Sequence, residues 1–339
     1  MTSQAFNNAV GSIVGNRLIN PDSYIDQRNN GALVTGVVGS IYTVDRYGII
    51  SSVASVLTAQ QDTTTVLGAN QPTLSSHKLN VGVQHSTLAS TDYFLRYQVI
   101  ETVNMRDSLW GTVDANTFVY TVAVYAPVAG VYSIAFRNDA ATRSYVTTIT
   151  VVNTNTLEFH SVVVPGDTGG SWSSTATAGF LIVSFDLGAG SSYTTSTLNT
   201  WQSGNFLKAT GSLSFCTNTA GTSMHIAWEQ FEPNYATAPQ VIDYSQALRQ
   251  CQRYYNITPI YFTVMKSGAT AQFTPIQWPV TMRAAPTSTY TGFVDNDSSG
   301  ATSATVYDPT IYGAVGMIVG GTITLSSRLG VTAANTSEL

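Results

Sequence analysis

Four residues near the middle of the chain carry side chains suited to holding a polar ligand: Asp167, Trp172, Tyr193 and Trp201. They fall in two glycine-rich stretches, Pro165-Gly-Asp-Thr-Gly-Gly-Ser-Trp172 and Gly188-Ala-Gly-Ser-Ser-Tyr193, with Trp201 just beyond. Loops on a rigid scaffold are where binding residues gather. An aromatic plate presented there stacks on a sugar ring, so these four form the expected ligand-binding set. The competing reading makes Trp172 and Trp201 lids that close the ends of a β-sandwich. Large aromatics are mostly buried on average, which favours the lids.

Other chemistry finds little support. The chain has no G-x-S-x-G nucleophile elbow and no G-x-x-x-x-G-K-[ST] phosphate cradle. Its histidines, His77, His85, His160 and His225, are scattered and lack the spacing of a metal site. Cys216 and Cys251 read as two buried thiols, with a disulfide between them left open. A pair of carboxylates for glycoside hydrolysis need not be close in sequence, so that reading stays open too. Only 19 acids are present, however, and Asp167, Asp295 and Asp297 sit in turns, where Asp serves the backbone. The expectation is a non-enzyme with no catalytic residue, no metal and no cofactor. Asp26, Arg28, Asp45 and Arg46 gather four charges in one region; structural ion pairing is favoured over a binding site.

The elements that must position these residues are mostly strands. Charged residues make up 10% of the 339-residue chain, against roughly 25% in typical soluble domains. With 43% hydrophobic residues the chain has ample core, and its solubility must come from hydroxyl and amide groups. The net charge of −5 gives no general attraction to nucleic acid, and no apolar run of 18 residues suggests membrane insertion. Strands are expected over 49–57, 78–84, 92–103, 117–125, 131–137, 143–151, 156–164, 180–187 and 222–231. Phe118, Tyr120, Val122 and Val124 share one face by period two, as do Tyr132, Ile134 and Phe136; the turn Ala126–Gly130 between them reads as a hairpin. Met224, Ile226, Trp228 and Gln230 share a face of the last strand. Short strands at regular spacing with no helices between them predict an all-β jelly-roll sandwich. Asp243 then caps a helix over 245–252, followed by about six short strands, with Gly320-Gly321 separating the last two, 312–319 and 322–329. The expected organisation is an N-terminal docking segment (1–20), a jelly-roll domain (21–240), a linker helix (241–255) and a smaller antiparallel β domain (256–339).

Several motifs, in order along the chain, resemble a family of tailed-bacteriophage virion appendage proteins. They are Asn16-Arg-Leu-Ile-Asn-Pro-Asp-Ser-Tyr-Ile-Asp-Gln-Arg-Asn-Asn-Gly31, Tyr42-Thr-Val-Asp-Arg-Tyr47, Arg143-Ser-Tyr-Val-Thr-Thr148 and Pro165-Gly-Asp-Thr168. Further along come Trp228-Glu-Gln-Phe-Glu232, Ala236-Thr-Ala-Pro239, Cys251-Gln-Arg-Tyr-Tyr255, Trp278-Pro-Val-Thr-Met-Arg-Ala-Ala-Pro286 and Ser337-Glu-Leu339. Tyr47 stands where Trp is frequent, and Glu232-Pro-Asn-Tyr235 departs from the usual Glu-x-Gly-Ser-x. The resemblance implies a fibre or adhesin of the particle with a carbohydrate-binding-module-like jelly roll and a C-terminal β domain. It implies a homotrimer, made in the host cytoplasm, joined to other virion proteins through its N-terminal segment and touching a host-surface glycan. The alternative is a capsid decoration, baseplate or connector protein with a purely structural role. The resemblance transfers no ligand residue.

Overall fold

The computed structural model describes residues 15–263, 269–295, 301–323 and 328–338. They fall into two compact units, the first ending at Asp243 and the second running Tyr244–Glu338. The described residues are all-β apart from short helical turns and one α-helix, and the first unit is a jelly-roll β-sandwich. No helix of the described residues is long and apolar enough to cross a membrane.

The strands of the first unit are β1 (Val34–Thr35), β2 (Gly39–Val44), β3 (Tyr47–Ser51), β4 (Leu57–Asp62), β5 (Ser76–Val81), β6 (Tyr93–Glu101), β7 (Phe118–Tyr125) and β8 (Gly130–Asn138). They continue with β9 (Arg143–Val151), β10 (Leu157–Val164), β11 (Gly179–Ala189), β12 (Thr194–Thr195), β13 (Trp201–Ser203), β14 (Lys208–Ala209) and β15 (Ser223–Pro233). One sheet runs β1-β4-β5-β15-β7-β10 and the other β13-β9-β8-β11-β6-β3-β2. Every pairing within them is antiparallel.

The two apolar faces read from sequence meet in one core. Phe118, Tyr120, Val122 and Val124 of β7 and Tyr132, Ile134 and Phe136 of β8 are all buried in it. They do not form a hairpin, however. β7 pairs with β10 and β15, whereas β8 pairs with β9 and β11, in the opposite sheet. Two successive strands with matching apolar faces satisfy the same pattern side by side or face to face across a sandwich, and period two does not choose between them.

The last strand of the sandwich also departs from simple alternation. A bulge between Ile226 and Trp228 inserts one residue into β15. The extra residue reverses which face each later side chain points to. Met224 and Ile226 therefore lie in the main core, while Trp228 packs on the outside of the sheet with Leu67, Ala123 and Ala227. Glu229 and Phe231 take the inward positions instead.

The N-terminal motif residues are fasteners of this sandwich. Asn16 accepts from the Phe231 N–H at 2.9 Å and donates to the Glu229 carbonyl at 3.0 Å, and Leu18 is buried in the core. Asn20 donates to the carbonyls of Ile25 and Asp45, both at 2.9 Å. Residues 1–14 of the expected docking segment lie outside the described residues.

The second unit opens with α1 (Tyr244–Gln252), which begins right after Asp243. Its strands form two three-stranded sheets. One orders Tyr255–Thr263, Arg328–Thr336 and Thr287–Asp295; the other orders Ala269–Gln277, Gly313–Ile323 and Ala301–Tyr307. Pro259 and Pro275 both fall in edge strands, the position in a sheet where proline is tolerated. The break expected at Gly320-Gly321 falls inside one strand, Gly313–Ile323, whose pairing with Ala269–Gln277 shifts register at that point. The C-terminal motifs meet here: the Arg283 N–H donates to the Arg253 carbonyl (2.9 Å), Arg283 Nε to the Ser337 carbonyl (2.5 Å), and the Ser337 N–H to the Tyr254 carbonyl (2.7 Å). Cys251 and, in the first unit, Cys216 are both buried, and neither forms a disulfide.

Candidate functional site

Three of the four expected ligand residues come together at one end of the sandwich. Trp172 and Trp201 pack around Trp110, with ring centroids 5.0 and 5.2 Å away, and lie 5.5 Å from each other. Asp167 is buried, and both its carboxylate oxygens are held by Arg143, Nε at 2.9 Å and Nη2 at 2.5 Å. This two-pronged bond raises the guanidinium pKa of Arg143, as a carboxylate partner should. Trp172 Nε1 donates to the same carboxylate at 3.1 Å, and Trp201 Nε1 donates to the Pro165 carbonyl at 2.7 Å. The Asp167 carboxylate and both indole N–H groups are thus committed within the protein. Trp172 and Trp201 keep partly exposed ring surface while packing on the core.

Tyr193 lies elsewhere, on the outer face of the seven-stranded sheet. Phe94 and Phe136 point into the core, so alternation sends Tyr93 and Leu95 of β6, and Ala135 and Arg137 of β8, to the opposite face. The segment 190–213 crosses part of that face. It is pinned by the Ala209 N–H to Ser133 Oγ (2.9 Å), the Phe206 N–H to Ser144 Oγ (3.2 Å) and the Leu213 N–H to the Val131 carbonyl (2.8 Å). A helical turn at Ser191–Tyr193 sets Tyr193 edge-on to Tyr93, centroids 5.4 Å apart. Both tyrosines are partly exposed and rest on a patch of Leu95, Ala189 and Leu207.

Arg137 completes this face. It is 8% exposed, and its Nη1 donates to Asn205 Oδ1 at 2.5 Å. Among the described residues no carboxylate lies within ion-pair distance of it. Burial pushes its pKa down to about 10, offset in part by Tyr193 and Tyr93. The group stays charged at neutral pH. Two tyrosine rings, one amide and one cation therefore share a face, a set that stacks on a sugar ring and bonds its hydroxyls. The sequence reading named Tyr193 but not Tyr93, Asn205 or Arg137. A signal existed for Arg137: a cation at the outward position of a strand whose inward positions are Tyr132, Ile134 and Phe136, in a charge-poor chain.

The four clustered charges near the N-terminus are structural. Asp45 accepts from Gln27 Nε2 at 2.5 Å and sits 3.9 Å from Arg28 Nε. Asp26 caps its own turn through the N–H groups of Asn29 and Gly31 (3.1 and 2.8 Å). Arg46 Nη2 donates to the Val99 carbonyl at 2.6 Å. Inside the sandwich Arg96 Nη1 meets Glu229 Oε2 at 2.5 Å, and Tyr120 donates to the other oxygen of the same carboxylate. Burial and the neighbouring Arg96 hold His77 well below its usual pKa, so it is neutral between Thr43 and Arg96.

No protein-family model matches the chain, and no curated protein matches it. Among solved structures it is similar to the enzymatically active domain of tailspike protein 4 of bacteriophage CBA120, at 11% identity and a TM-score of 0.29, covering 62% of this chain and 22% of that one. It is similar to TmCBM61 in complex with β-1,4-galactotriose, at 9% identity and a TM-score of 0.30, covering 65% of this chain and 99% of that one. A family 11 carbohydrate-binding module from Clostridium thermocellum, in complex with a β-1,3-1,4-mixed-linked tetrasaccharide, is similar at 10% identity and a TM-score of 0.26, covering 58% of this chain and 97% of that one. At these values the likeness decides nothing about function.

Proposed function

We propose that this chain is a non-enzymatic glycan-binding appendage of a tailed-bacteriophage particle, and that its sandwich binds sugar on the outer face of the seven-stranded sheet. One observation carries the binding site: the partly exposed Tyr93–Tyr193 pair beside Arg137 and Asn205. The virion role is supported by the ordered motifs between Asn16 and Leu339, and so are the homotrimer and the attachment to other virion proteins through the N-terminal segment. The ends of the sandwich, with Asp167, Trp172 and Trp201, are scaffold on this reading.

The test is binding of the purified chain to an array of bacterial surface polysaccharides. Tyr193→Ala should weaken binding at least tenfold without lowering the melting temperature by more than a few degrees. Equal binding by the variant removes the outer face as the site. A purely structural role is favoured by a different observation. Edge strand β10 turns Phe159 and Val163 outward, 41% and 60% exposed, on the other sheet, and edge strands with apolar side chains readily join another chain. If no polysaccharide is retained and particle maps show copies joined along β10, the connector reading replaces the adhesin.

A further inference from the structure

Arg137 has a feature that a neutral sugar does not account for. The residue is more than nine-tenths buried, Nε is sealed from solvent with no hydrogen-bond partner, and the one bond the guanidinium makes is to the neutral amide of Asn205. Nη2 makes no hydrogen bond and is not sealed from solvent. Arg17, Arg28, Arg96 and Arg143, as well as Lys78 and Lys208, each have a carboxylate within 4.0 Å. Removing a cation from water without a counter-charge is strongly unfavourable, and a buried guanidinium is normally matched by an anion. Nothing inside the sandwich demands a cation here. Its strand neighbours, Ser144 on β9 and Ile182 on β11, are uncharged.

Resting on the glycan-binding reading, we propose that the outer-face site takes an acidic sugar, with Arg137 as the counter-ion of a carboxylate on the bound residue. A uronic or nonulosonic acid fits this chemistry. Tyr93 and Tyr193 take the ring face, and the end of the guanidinium, Nη2 with the unused N–H of Nη1, takes the carboxylate. The planar fork of arginine suits a carboxylate better than a lone hydroxyl. Tyr93 and Tyr193 alone would accept any sugar ring; Arg137 adds the selection for charge.

The experiment uses the full chain and a glycan array holding matched neutral and carboxylated polysaccharides, with soluble glucuronate, galacturonate and N-acetylneuraminate as competitors against glucose and galactose. The expected result has three parts. The wild-type chain retains carboxylated members. Acidic monosaccharides compete at least tenfold better than neutral ones. Methyl esterification of the retained glycan lowers its affinity at least tenfold. Arg137→Gln should lose the same tenfold, with its fold checked by circular dichroism. The esterification arm uses only the wild-type chain, so it decides the matter even if the variant fails to fold. Retention of neutral glycans alone, or no effect of esterification, overturns the acidic-sugar proposal and leaves the glycan-binding reading standing. Retention of nothing on the array overturns both.

Discussion

At the scale of single residues, the sandwich buries one charge pair in its core. Arg96 and Glu229 are joined inside the core, with Tyr120 on the same carboxylate. Breaking such a pair from one side leaves an uncompensated buried charge. Glu229→Ala should therefore lower unfolding stability by about 3–5 kcal/mol in urea titrations. Replacing Arg96 and Glu229 together with methionine should lower it far less, since no orphan charge remains. Similar losses for the single and double variants would show that packing, not charge, sets the effect. Asp62 offers a pH test. Burial raises its pKa, but hydrogen bonds from Thr65 and Thr64 outweigh that and hold the carboxyl well below the usual range. A depressed folded pKa stabilises above the unfolded value and is lost as pH falls below it. Stability should thus drop as pH falls from about 4 towards 2, and Asp62→Asn should flatten that drop. An unchanged slope in acid denaturation would contradict the assignment.

At the scale of elements, the segment 190–213 shapes the site, and its entry is fixed by Gly190. A Cβ there would lie 1.9 Å from the Ala89 carbonyl oxygen and 2.6 Å from that of Ser90, backbone that cannot move aside. Gly190→Ala should lower stability by about 1–3 kcal/mol and weaken glycan binding, because Tyr193 follows within the same turn. A thermal melt with a binding assay checks both; an unaffected melt would show that the segment yields at that point. The same segment shows where sequence reading stops. Strands such as Arg143–Val151 were legible from β-formers and alternation. The partner of a strand was not. Nothing in Phe118–Tyr125 says that the next strand joins the other sheet, and the bulge that turns Trp228 outward leaves no local signal. Trp172 and Trp201 were legible as large aromatics in or near glycine-rich stretches. The pairing of Tyr93 with Tyr193 was not, because the two meet only when a strand and a distant loop cross the same face. The fasteners Asn16 and Asn20 were visible only as motif residues. Their task, closing backbone groups of Phe231 and Asp45, requires the fold.

For the whole molecule, a charge-poor β chain presents one outward face rich in tyrosine with a carboxylate-free arginine, and an opposite sheet edged by exposed apolar side chains. If the first is the glycan contact and the second serves assembly, the tyrosine face and not the end of the sandwich must hold the sugar. The direct measurement is isothermal titration of the polysaccharide retained by the wild-type chain into Tyr193→Ala and Trp201→Ala, each first shown to be folded. Tyr193→Ala should lose at least tenfold in affinity and Trp201→Ala should stay near wild type. The reverse order, with Trp201→Ala losing the ligand and Tyr193→Ala keeping it, would return the site to the end of the sandwich.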